Sequence, residues 1–218
     1  MQNFLRDAVE FLPILLQGVW LTVVVTIGSL LLSTVLGLLW ALMRVSGIRV
    51  LSGLSAGLIN VIRGIPIIVL LFYLYFVMPD FGVALTALQA SIIGLGIAYS
   101  AYQAENFRAG IEAIDKGQIE AAQAIGMSWW QTMRRVVLPQ AVKIVLPPYG
   151  NVMIMMLKDS SQASTITVAE LALQGKLISS ATFQNSTVFT LVALLYLTMS
   201  IPLILVVGWL EKRFGRKS

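Results

Sequence analysis

From Phe11 to Met43 the chain runs 33 residues without a charged side chain. A helix that long on a soluble domain would carry a polar stripe toward water; an all-round apolar one belongs in a protein core or a bilayer. At about 1.5 Å per residue the run exceeds the ~30 Å hydrocarbon core, so the first span must tilt or begin outside it. Phe81–Ala104 (24 residues) and Val188–Leu210 (23 residues) are also uncharged and long enough to cross. Pro66–Met78 and Ile144–Leu157 are apolar but shorter, and prolines interrupt them. The resulting fold class is an all-α membrane protein with five transmembrane helices.

Composition agrees with this reading. Only 11% of the 218 residues are charged, against about 25% in soluble domains. There is no cysteine, which excludes disulfides and thiolate chemistry, and no histidine. The latter absence removes the commonest metal ligand and neutral-pH proton shuttle. The net charge of +5 falls in the loops and tail and reads as membrane orientation, not nucleic-acid binding. Asp7 and Glu10 precede an apolar run too long for a signal-peptide core, so the N-terminus reads as a true first span.

Five spans put the termini on opposite sides, and basic residues choose between them. Arg44, Arg49, Arg108, Lys116, Arg134, Arg135, Lys143, Lys212, Arg213, Arg216 and Lys217 fall on one side; Arg6 and Lys176 fall on the other. The expectation is N-terminus outside and C-terminus inside. Arg63 and Lys158 stay uncounted, their depth being open.

Local signals mark the interior. Ser29, Ser33 and Gly37 recur every four residues, as do Ala90, Gly94 and Ala98; both sets suit close helix contact, although small residues are common in membrane helices anyway. Gly53 and Gly57 share that spacing at the start of a second helix. Pro66 should break that helix and free backbone groups toward a cavity. Arg63 beside it either snorkels as an anchor or serves a pathway or a subunit contact. Glu105, Arg108 and Glu112 can pair along one helix face. Pro147-Pro148 predicts a short, broken fourth span, followed at once by Lys158-Asp159-Ser160-Ser161. Ala169–Ile178 reads as an amphipathic helix on the outer face, and Pro202 as a kink in the last span.

Gly117–Pro139 is a polar, amphipathic island in this oily chain. Read as one helix it sets Trp130, Met133 and Val137 on a single face, and Pro139 marks where a helix stops or restarts. Such a segment lies on a membrane surface or fits a groove on a soluble partner.

Here a family resemblance enters. Glu120-Ala121-Ala122, then Gly126, then Val136-x-Leu138-Pro139 resembles the EAA loop of ATP-binding-cassette (ABC) importer permeases, with Val136 where the family has Ile. Ser100-Ala101-Tyr102 through Glu105 and Arg108-Ala109-Gly110-Ile111 resemble its polar amino-acid uptake branch. So do Arg63-Gly64-Ile65-Pro66 and Lys158-Asp159-Ser160-Ser161, with Ile65 and Ser160 where Thr is usual. The chain is identified by these motifs as a MetI-like transmembrane permease domain spanning 1–218, with its coupling loop at about 112–139.

The resemblance implies a transport subunit and no catalysis on this chain. It implies no cofactor here, with ATP and Mg held by a partner ATPase dimer. It further implies a second permease subunit, identical or related, an extracytoplasmic solute-binding protein, an amino-acid substrate, and a multi-pass place in the bacterial inner membrane bilayer. Nucleic acid is no partner. Glu120, Ala121, Ala122, Gly126, Trp129 and Trp130 become the coupling residues, the two tryptophans facing either the motor or the membrane interface. Candidate pathway residues are Asp159, Lys158, Ser160, Ser161, Arg63 and Pro66. Asp159 either meets a substrate ammonium or pairs with Lys158 or Arg63. The chain has no Gly-x-x-x-x-Gly-Lys-Ser/Thr loop, so the motor is elsewhere. A permease for another solute shares every one of these features. A stand-alone carrier, a channel or a membrane enzyme fits less well, for want of an inverted repeat or a nucleophile cluster.

Overall fold

A sharp corner in the molecule sits at Pro66. Proline offers no N–H and pushes the residue before it out of the helical region; Ile65 accordingly has φ −99° and ψ 126°. Helix α2 (Arg49–Gly64) stops there, α3 (Ile67–Phe72) starts, and the two segments bend by 96°. The break expected from the sequence is therefore present.

The computed structural model describes residues 2–214, all in helices and short connections with no strand among them. Arg216 and Lys217 of the charge tally lie outside the described residues. The first apolar run forms one helix, α1 (Gln2–Val45). After α2, α3 continues through a π-helical turn (Tyr73–Val77) and a 3-10 turn (Met78–Phe81). Then come α4 (Ala87–Glu112), α5 (Lys116–Ala124), α6 (Trp129–Thr132), α7 (Leu138–Asp159), α8 (Leu171–Thr182) and α9 (Asn185–Phe214).

Small residues set the core contacts. Along α1 and α4, Gly28 meets Ile92, Gly96 meets Leu32, and Gly37 meets Gln103 and the Ser100 carbonyl. The rising pairs show that these helices run parallel. A Cβ on Gly37 would stand 2.7 Å from that of Gln103. Ser29, Ser33, Ala90, Gly94 and Ala98 are all buried, so both small-residue faces do pack. Gly53 and Gly57 face nothing within 4 Å. Helix α7 runs antiparallel to α4: Val145 lies against Gly110, Tyr149 near Phe107, and Asp159 at Tyr99. Helix α9 lies parallel to α1, joined through Phe11, Leu15, Val188 and Val192. Arg44, Arg49, Arg108, Lys116, Arg134, Arg135, Lys212 and Arg213 thus gather at one end of the bundle, with Arg6 at the other.

Several expectations need correction. The third helix starts at Ala87 and not at Phe81, because Thr86 and Gln89 form a reciprocal capping box. Pro147 and Pro148 do not break α7, which continues through both to Asp159. Prolines cost backbone hydrogen bonds, but neighbouring helices tolerate them where burial holds the segment; Val145, Pro147, Val152, Ile154 and Met156 are buried. The amphipathic segment begins at Leu171 and reaches Thr182, since the Glu170 carboxylate caps it by accepting from the Ala172 and Leu173 N–H groups, both at 2.9 Å. The island is not one helix. Gly126 divides it, and Trp130 is exposed while Met133 and Val137 are buried. Of the two outcomes expected at Pro139 the structure shows the restart: it occupies the first turn of α7, which follows α6 through a π-helical turn (Met133–Val137).

Helix α1 from Arg6 and helix α9 are each long and apolar enough to cross a membrane; the bent pair α2–α3 makes a third if taken as one span. Helices α4 and α7 are less apolar because protein covers much of them: Ser91, Ser100 and Gln103 of α4 are fully buried.

Candidate functional site

Two groups of the expected residues occupy two separate places. The first is an elbow at the basic end of the bundle. Asp115 caps α5 by accepting from Gly117 N–H at 2.7 Å. The helix ends with Gly126 N–H donating to the Gln123 carbonyl (2.9 Å) and Met127 N–H to that of Ala122 (3.0 Å). This is a Schellman turn, which needs a left-handed residue after the helix; Gly126 has φ 81°. Ser128 and Gln131 then form a second capping box that starts α6.

The elbow's inner side is sealed. Ile114, Met133 and Val137 form a small core with Ile111, Ile119 and Leu138. The Gln140 side-chain amide donates to the Gln118 oxygen at 2.6 Å, tying α5 to α7. Ala122 is buried, whereas Glu120, Ala121 and Gly126 are exposed. Ile125, Trp129 and Trp130 are 75%, 58% and 63% exposed, and the indole rings lie 6.4 Å apart. Among the described residues no helix buries them. Beside the elbow, Arg108 bridges Glu105 at 2.6 Å and Glu112 at 2.5 Å. These carboxylates, Glu105 first, hold the guanidinium above its ordinary pKa.

The second place is midway along α4. The Tyr99 hydroxyl donates to Asp159 Oδ2 at 2.6 Å. The Tyr99 and Tyr102 rings stand 5.8 Å apart, and the Arg63 guanidinium lies over the Tyr102 ring at 5.5 Å. The expected pairing of Asp159 with Lys158 or Arg63 is not made: the ion pairs among the described residues are Arg6–Asp7, Arg108–Glu105 and Arg108–Glu112. Each group has another partner: Arg63 lies over the Tyr102 ring, and Asp159 accepts from Tyr99. Lys158 is exposed. The Ser160 and Ser161 hydroxyls donate to the carbonyls of Leu157 and Lys158, both at 2.8 Å, so they finish α7 instead of facing outward as free donors. Pro66 sits at the α2–α3 corner.

Sequence reasoning passed over Tyr99 and Glu170. Tyr99 precedes Tyr102 by three residues, following a stretch of small and aliphatic residues from Ala90 to Ala98, and that spacing was the available signal. Glu170 is fully buried, accepts from Tyr196 at 2.9 Å and caps α8, whose Leu171 N–H donates to Thr22; nothing local marks it as more than a polar loop residue. Among the described residues no cluster of acidic side chains could hold a metal ion.

Comparison with known proteins adds the following. Residues 33–216 match the family described as binding-protein-dependent transport system inner membrane component. The probable amino-acid ABC transporter permease YckA of Bacillus subtilis (strain 168) is 38% identical over 208 residues, covering 95% of this chain and 92% of its own. The probable glutamine ABC transporter permease GlnM of the same organism is 39% identical over 201 residues, covering 92% and 93%. A crystal structure of an amino acid ABC transporter with histidines superposes with a TM-score of 0.87 at 36% identity, covering 95% of this chain and 97% of that one.

Proposed function

The chain belongs to the binding-protein-dependent transport system inner membrane components, and from that premise we infer that it is the permease subunit of an ABC importer that moves polar amino acids into the cytoplasm. The relatives' names supply the substrate class, and the elbow supplies the coupling reading. An ATPase dimer that closes on nucleotide needs a firm handle on the permease. The elbow offers one: a capped turn, an apolar inner seal and an outward pair of tryptophans. That exposed Trp129–Trp130 pair on a rigidly capped corner is the observation that carries the coupling role.

In this reading Glu120, Ala121, Ala122, Gly126, Trp129 and Trp130 form the contact with the ATPase. Glu120 pairs with a basic group of the partner, and the small side chain of Ala121 allows close approach; Ala122, being buried, seals the elbow from within. ATP and Mg reside on that partner, and this chain is a transport subunit without catalysis of its own. A second permease completes the pathway, and an extracytoplasmic binding protein delivers the amino acid. The whole chain acts as one transmembrane domain in a bacterial cytoplasmic membrane. Five spans, N-terminus outside, follow from counting α2–α3 as one crossing and adding α4 and α7. The alternating helix directions and the basic residues gathered at the elbow end support that count and orientation.

An amino acid is zwitterionic, so its site should offer both signs of charge. Asp159 would meet the ammonium, and Arg63 with the freed backbone at Pro66 the carboxylate. Lys158, Ser160 and Ser161 lie at the same level, the serines through backbone geometry. The test of coupling is uptake by Glu120→Lys and Gly126→Asp in reconstituted vesicles. Uptake should fall to background while the protein still inserts; normal uptake would remove the coupling role.

A further inference from the structure

A carboxylate carries about four acceptor positions. In Asp159 one oxygen is taken by Tyr99, whose side chain is 1% exposed and therefore fixed by its surroundings. The Asp159 side chain caps no backbone N–H, although it stands at the start of the 3-10 turn Ser160–Ile166. It joins no ion pair among the described residues. An acidic side chain inside a membrane bundle ordinarily finds a basic partner. Arg63 lies instead over the face of Tyr102, whose ring neighbours that of Tyr99. Direct pairing would neutralise both groups and leave neither for a solute.

We propose that Tyr99 is a positioning residue for transport: its hydroxyl clamps one oxygen of Asp159 and orients the other toward a substrate ammonium, while Tyr102 keeps Arg63 at a separate subsite. This rests on the reading that Asp159 contacts substrate. It adds that the carboxylate's placement, and not its charge alone, sets affinity. Tyr99 itself touches no substrate and acts through Asp159.

The experiment is a double-mutant cycle on the assembled transporter, with its ATPase and binding protein, in proteoliposomes. A panel of radiolabelled amino acids first identifies the one the wild type takes up fastest, and that one is the probe. Tyr99→Phe should raise KM about tenfold, the loss of one hydrogen bond to a charged group, with kcat nearly unchanged. In an Asp159→Asn background the same change should add little to KM, because the amide oxygen still accepts from Tyr99 but the charge that the hydroxyl positions is gone. Asp159→Glu keeps the charge but moves the carboxylate past Tyr99, so its KM should rise as well; this variant decides the matter if Tyr99→Phe fails to assemble. An Asp159→Asn effect with additive Tyr99→Phe, or a wild-type KM in Asp159→Glu, would overturn the positioning role and leave the substrate contact standing. A wild-type KM in Asp159→Asn would overturn the contact itself.

Discussion

Gly126 allows the elbow to be tested by backbone energetics alone. Its φ of 81° lies in the left-handed region, where an L-residue pays about 1–2 kcal/mol and Asn or Asp pays less. No atom lies within 4 Å of a Cβ added there, so within this chain a substitution costs conformation and no collision. Three hydrogen bonds close the turn, from Ile125, Gly126 and Met127 to Ala121, Gln123 and Ala122. Gly126→Ala should therefore shift the elbow by about 1 kcal/mol, roughly fivefold in its open-to-closed ratio, and lower ATP-driven uptake two- to fivefold. Gly126→Asn should stay near wild type. Gly126→Val, β-branched and intolerant of positive φ, should lose more than tenfold. The assay is initial uptake rate at matched protein level, with binding to the purified ATPase as a second readout. Asp tolerates the backbone about as Asn does, so an inactive Gly126→Asp beside an active Gly126→Asn would assign the damage to charge at the partner face. Wild-type uptake by Gly126→Val, or a decline that follows side-chain size instead of left-handed tolerance, would refute the conformational argument.

Two further outcomes follow from burial. Trp129→Ala with Trp130→Ala removes side chains that are mostly exposed and should leave thermal stability in detergent within about 0.5 kcal/mol, while ATPase binding and uptake fall at least tenfold; a large loss of stability would mean the pair packs against the permease itself. Gly37→Val forces a Cβ to 2.7 Å from Gln103 and 3.0 Å from a backbone oxygen, and should destabilise by about 1–3 kcal/mol or more, seen as a lower midpoint or loss of monodisperse protein.

What could be read from the sequence was what local chemistry decides. Uncharged runs gave the helices, the four-residue spacing of Ser29, Ser33 and Gly37 gave a packed face, and Pro66 gave the corner, because the residue before a proline is excluded from the helix by its own neighbour. Pro147 and Pro148 carry the same local signal with the opposite outcome, since α1, α4 and α9 pack around α7, which stays helical through both. The family motif located the elbow, but its division at Gly126 and the outward turn of Trp130 depend on a cap and a core formed by residues as distant as Ile114. The partnership of Tyr99 and Asp159 spans sixty positions, and no periodicity encodes it. Glu170 is similar: its role exists only where α1, α8 and α9 meet.

From Trp129 to Asp159 the backbone is helical without interruption, a rod about 45 Å long at about 1.5 Å per residue. One tip carries the exposed indoles; the other carries the carboxylate held by Tyr99. If the elbow couples to the motor as proposed, a push on the first tip would reach the second along this one helical rod. On that reading the grip on the motor and the setting of Asp159 would change in one motion. Beside Pro147 and Pro148, which interrupt its hydrogen bonding, the rod has a compliant joint in the π-helical turn at Met133–Val137, close to the tip that the motor would drive. Softening it would slacken the drive while leaving the far tip's chemistry intact.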